Sequence, residues 1–178
     1  MSTNEGVEVK VKSSDAVLKA LAKLKKTEVL VGIPEGSTRE DTPLTNAELG
    51  FIHENGSPAS GIPARPFLVP GVAHGRPEIR EHLEAAVKAA YRGKARESSA
   101  ELEQAGSVAE SAVKKEISTA DFAPLKPSTI ANRNKSRGTV GKRENEKAGS
   151  EEFGQSVRPL INIGWLRDSI THLVKGGK

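Results

Sequence analysis

Four histidines, His53, His74, His82 and His172, are the side chains best suited to move a proton near neutral pH or to hold a metal. Their spacing supports neither task. None falls in an H-x-x-x-H or H-E-x-x-H arrangement, and His53-Glu54 runs on into Asn55, Gly56 and Ser57. The chain has no cysteine, which removes thiolate ligands, thiol nucleophiles and disulfides. It carries no G-x-S-x-G elbow, no G-x-x-x-x-G-K-[ST] phosphate loop and no G-x-G-x-x-G after a strand. Its acids are scattered, mostly along one long helical stretch, where they read as a solvated face. The expectation is a protein that is not an enzyme and uses no cofactor or metal.

The remaining charged feature is local. Between Lys126 and Lys147 lie Lys126, Arg133, Lys135, Arg137, Lys142, Arg143 and Lys147, opposed only by Glu144 and Glu146. That segment carries +5 of a net charge of +4, so the rest of the chain sums to −1. Clustered Lys and Arg release counterions from nucleic acid, so Arg133, Lys135, Arg137, Lys142 and Arg143 are candidate phosphate contacts. The same residues equally suit a solvated loop that orders against an acidic neighbouring subunit. With no aromatic in the segment to stack on bases, single-strand binding is disfavoured and the second reading is preferred.

The chain has 178 residues, of which 35% are apolar and 17 are glycine, so a core can form but a thin one. No signal-like segment opens it, and no apolar run approaches a membrane span, so assembly in a cytoplasm with no membrane partner is expected. Val7, Val9 and Val11 alternate with charged residues and predict a strand. Ser13, Ser14 and Asp15 then offer caps to a helix lined by Val17, Leu18, Leu21 and Leu24, with Lys23, Lys25 and Lys26 at its end. Residues 27–33 form an apolar run that reads as an interior strand. Residues 35–44 read as a loop. Thr45 and Glu48 fit a capping box for a helix to about Asn55, with Gly56 in the left-handed position beyond it. The prolines at 58, 63, 66 and 70 then predict an extended arm over about 57–72, edge-like from 62 to 69.

From Pro77, placed as a first helical residue, a helical pattern runs to Ser118 through Ile79, Leu83, Val87, Ala90, Leu102, Ala109, Val113 and Ile117. A break near Gly93 or Gly106 is expected. Ser128 is placed as the cap of a short helix to Arg133. Residues 134–157 have too little apolar content to order themselves and predict a mobile basic loop. A helical turn over 165–169 and a closing strand through Ile170, His172 and Val174 complete the pattern. The fold expected is α+β in one domain over residues 1–178. A small mixed or antiparallel sheet packs with a long helix, and an extended arm and a flexible basic loop are added.

Arg65-Pro66-Phe67-Leu68 places a fork of donors and an aromatic beside rigid prolines. Two readings stand side by side: an intersubunit anchor, or an edge segment with Phe67 tucked into its own core. Trp165 is read as filling the small core, with an interface as the other use of a lone Trp. The interface candidates are thus Arg65, Pro66, Phe67, Leu68, Trp165 and Arg167.

Two blocks of sequence resemble a known family. The stretch 47–71, with ELGFIHENG followed by IPARPFLVPG, is similar to the neck and tail-completion (virion morphogenesis) proteins of tailed bacteriophages. Members carry an Asn-Gly step, a few linking residues, then Ile-Pro-x-Arg-Pro-Phe-Leu leading into a long helix. The second block is PLKPSTI at 124–130, a basic variable loop, and PLINIGWLRDSI at 159–170. It resembles the family's C-terminal signature, a Leu-Ile-Asp-Thr-Gly core followed by a Leu and a Ser-Ile pair. Asn162 and Ile163 depart from the Asp-Thr of that core. The resemblance implies an α+β fold and a homo-oligomeric ring in the virion, at the head–tail junction. The implied neighbours are head-completion or connector proteins and tail-terminator or tail-tube proteins, with packaged DNA close by. A DNA-binding accessory or assembly factor acting through residues 126–147 is the alternative function.

Overall fold

In a computed structural model, the described residues are 5–36, 38–39, 42–132, 159–160 and 164–176, with backbone alone for 5–13, 38–39 and 42. The loop expected at 134–157, with Arg133, Lys135, Arg137, Lys142 and Arg143, lies outside them. The fold is α+β and mostly helical, with a small two-stranded antiparallel sheet packed against long helices. The chain divides into two compact units. Unit 1 takes residues 1–32, 72–112 and 171–178, and unit 2 takes 33–71 and 113–170.

Unit 1 opens with α1 (Glu5–Lys25), followed by β1 (Thr27–Gly32). The strand expected through Val7, Val9 and Val11 is the first part of α1 instead. No glycine or proline separates those valines from the helical stretch beyond. A Val costs well under 1 kcal/mol against Ala in a helix, so continuing one helix is cheap. Ser13, Ser14 and Asp15 are therefore interior residues of α1, not caps. The face turned inward centres on Ala20, and Leu18 is exposed.

Most of α3 (Leu68–Tyr91) and of α4 (Ala95–Thr119) follows in unit 1. The break expected near Gly93 or Gly106 falls at Gly93, which has φ of 72°. Gly93 N donates to Ala90 O at 2.9 Å and Lys94 N to Ala89 O at 3.0 Å, the paired bonds that close a helix on a left-handed residue. The chain turns back, so Gly75 meets Ala112 and His82 Nδ1 lies 2.8 Å from Glu101 Oε2. The layer is built on small residues: Ala20, Ala86, Ala89, Ala90, Ala105 and Ala109 are buried beside Leu102. The stripe through Leu83 and Val87 is more than a third exposed, because Ala and Gly bring helix backbones close and leave larger neighbours at the margin.

Pro77 is inside α3, which begins at Leu68. Its ring forgoes the bond to the Ala73 carbonyl, a cost of about 3 kcal/mol that the packing of the whole helix offsets. β4 (Thr171–Gly176) closes the unit as expected, pairing antiparallel with β1 so that Val29 faces Val174 and Leu30 faces Leu173. β1 is half of a two-stranded sheet, so the interior strand expected there is corrected. The face bearing His172 is held on α4: Gly106 gives the imidazole room, and His172 Nδ1 lies 2.6 Å from Glu110 Oε2.

Unit 2 begins with a strand pair where a loop was expected, β2 (Thr38–Arg39) antiparallel to β3 (Thr42–Thr45). Then come α2 (Asn46–Asn55), a 3-10 turn at Pro58–Ser60, the first turn of α3 and the end of α4. Residues 127–132 form α5, which starts one residue before Ser128; Lys126 O accepts from Thr129 N at 2.9 Å, so Lys126 holds the cap position. α6 (Trp165–Asp168) completes the unit. Phe67, Val113, Ile117, Leu160, Leu166 and Ile170 form its core. No helix among the described residues is long and apolar enough to cross a membrane.

Candidate interface site in unit 2

Thr45 and Glu48 start α2 with the expected capping box. Glu48 N donates to Thr45 Oγ1 at 3.2 Å, and Glu48 Oε2 accepts from Thr45 N at 2.8 Å. The Thr45 backbone N–H, and then its hydroxyl, hold the Glu48 carboxyl below the ordinary glutamate value. A depressed folded pKa gives stability that is present above the unfolded pKa and is lost as pH falls through the folded one. The melting-temperature difference between the wild type and Glu48→Gln should therefore be greatest near neutral pH and close in acid. A difference that stays constant down to pH 3 would show that the carboxylate is not the stabilising group.

At its far end α2 stops on Gly56, whose N donates to Ile52 O at 2.7 Å. Gly56 has φ of 75° but ψ of 175°, so it is an extended left-side residue and not the left-handed helical one expected. A Cβ there would come within 2.8 Å of Ala64 N, which only glycine avoids. Ser57 and Ile62 exchange backbone hydrogen bonds at 2.9 Å each, and Arg65 N donates to His53 O at 2.7 Å. The proline-rich stretch is thus folded back on α2. The extended arm expected over 57–72 contains a 3-10 turn at Pro58–Ser60, lies against α2 through the Arg65 bond and becomes helical from Leu68.

Two side chains fix this return. Glu54 Oε2 accepts from Phe67 N at 2.7 Å and Leu68 N at 2.9 Å, and Oε1 accepts from Val69 N at 3.1 Å. One carboxylate therefore satisfies three of the orphan donors at the start of α3, where the helix dipole also favours negative charge. Arg65 Nε donates to Ala123 O at 2.8 Å and Nη2 to Pro124 O at 3.0 Å. Burial pulls the guanidinium below its ordinary pKa, and it remains charged because that value starts so high. Changing Glu54 to Gln keeps the shape but loses the charge and turns an amide NH2, itself a donor, toward one set of those N–H groups. A loss of about 2 kcal/mol in a urea titration is expected.

The interface candidates separate clearly. Arg65 is 5% exposed and Phe67 2%, so both serve the chain's own interior, and Leu68 is half-buried. Pro66 is exposed. Trp165 is 40% exposed, which corrects its placement in the core; the neighbouring Leu166, 7% exposed, takes that place beside Gly50. Arg167 is half-buried, with Nε 3.4 Å from Asp168 Oδ1. Phe51 and Val69, both 70% exposed, were not among the candidates. Nor was Glu54, since a carboxylate that caps a helix starting fourteen residues later leaves no local pattern. No family model matches the chain, and no curated protein and no solved structure matches it.

Proposed function

We propose that this chain is a structural subunit of the neck of a tailed bacteriophage, forming a ring that joins the head connector to the tail. One observation carries the reading. The two blocks that resemble neck and tail-completion proteins fall in the same compact unit, and Arg65 of the first donates to Pro124, which opens the second, and to Ala123 just before it. Motifs far apart in the chain are thus direct partners, as two parts of one signature should be. The exposed Phe51, Val69, Pro66 and Trp165 offer contact area for neighbouring virion proteins.

Electron microscopy of the purified protein should show closed rings, and antibodies against it should label the head–tail junction of particles. A strictly monomeric protein absent from virions would end this reading. The alternative reading, a DNA-binding accessory acting through residues 126–147, has its own test. Neutralising Arg133, Arg137, Lys142 and Arg143 should flatten the salt dependence of DNA binding, since each phosphate contact contributes a slope of about 0.9 in log–log form. The absence of any binding at low salt would remove DNA as a partner.

A further inference from the structure

The β1–β4 sheet has only two strands, and no third strand lies on either edge among the described residues. A lone antiparallel pair is a marginal structure, and its outer backbone groups form a template for further pairing. One face of this pair is turned inward with His172, which sits over Gly106 near Glu110 and Glu103. The other face is open: Leu30 is 47% exposed and its cross-strand partner Leu173 is 59% exposed. Glu28 lies opposite Lys175 on the same open face. Neither strand contains a proline, and the register runs without a bulge from Thr27↔Gly176 to Gly32↔Thr171. Two common devices that blunt an edge are therefore missing.

We infer that these two edges join head to tail between copies of this chain, β4 of one copy running antiparallel to β1 of the next in the register the sheet already uses internally. Charge selects this arrangement. β1 (TEVLVG) carries one acid and no base, and β4 (THLVKG) carries Lys175 on the open face, His172 on the inward face and no acid. No register of β4 on β4 can set an acid opposite Lys175, and none of β1 on β1 can set a base opposite Glu28. Head-to-tail pairing sets Glu28 of the next copy beside Lys175 and Leu30 beside Leu173, extending both cross-strand rows. Such a contact uses two different edges and so builds a ring or a filament, not a closed dimer. The inference rests on the ring-subunit reading and names the surface that would make the ring.

The test uses one variant, E28K/K175E, in which the intrachain pair is reversed but kept, so that the fold is preserved. Wild type and variant should each assemble alone. When they are mixed, each junction between unlike copies sets two like charges face to face. Native mass spectrometry should then show sorting into pure assemblies, with unlike contacts disfavoured by about tenfold. Random mixing would overturn the inference, as would a wild type that stays monomeric at high concentration. A protein that sorts as expected but is missing from virions would leave the sheet contact standing and remove only the neck assignment.

Discussion

Replacing Arg65 by methionine is expected to lower the unfolding free energy by about 3 kcal/mol, read as a shift in the urea midpoint at unchanged slope. Methionine preserves much of the side-chain volume, so the loss isolates the two hydrogen bonds and not a cavity. It leaves the carbonyls of Ala123 and Pro124 without the donors that Arg65 supplies at 2.8 and 3.0 Å. A hydrogen bond from a charged donor contributes about 1.5–3 kcal/mol, and because Ala123 is half-buried and Pro124 exposed, water recovers part of the loss. Lysine keeps the charge but has no planar fork, so Arg65→Lys should recover only part of the loss. If Arg65→Met melts within 1 °C of wild type, the bonds are ornamental and the link between the two sequence blocks loses its weight.

The second large effect is expected at Gly71. A Cβ on this residue would come within 2.7 Å of Val113 Cα and 3.2 Å of both Glu116 Cβ and Val113 Cγ2. Val113 is fully buried in the core of unit 2, and the nearest obstacle is backbone, which cannot swing aside as a long side chain can. Gly71→Ala should therefore force α3 and α4 apart and cost about 2–3 kcal/mol, despite the better helix propensity of alanine. Gly32→Ala is the control, since nothing lies within 4 Å of a Cβ there. Equal melting temperatures for the two variants would mean that the close approach at Gly71 carries no constraint.

What could be read from the sequence was whatever is encoded locally. The box of Thr45 and Glu48 is complete within four residues, and the turn at Gly93 needs only its own left-handed backbone. The buried stripe of α4, Leu102, Ala109, Val113 and Ile117, repeats at helical spacing and is where that spacing puts it. The misreadings share one cause: a distant partner decides the local outcome. Pro77 looks like a helix start because the true start, at Leu68, is capped by Glu54 from another helix. Val7, Val9 and Val11 alternate like a strand, but three alternations weigh little against an unbroken helix of 21 residues. Trp165 and Leu166 are neighbours of similar promise, and only packing against distant parts of the chain makes Leu166 the buried one.

The pairing of β1 with β4 also sets a timetable. β1 ends at Gly32 and its partner begins at Thr171, just after Ile170 completes unit 2. Leu160, Leu166 and Ile170 of the unit 2 core lie shortly before β4 in the chain, so both units wait on the same late segment. Val29 and Val31 must wait on a half-finished layer of small-residue helices, and non-local pairing of this kind is slow even when it is free to start. β1 therefore stays unpaired until the segment carrying β4 has been made. During that interval both sides of β1, and not only its outer edge, are open to mispairing.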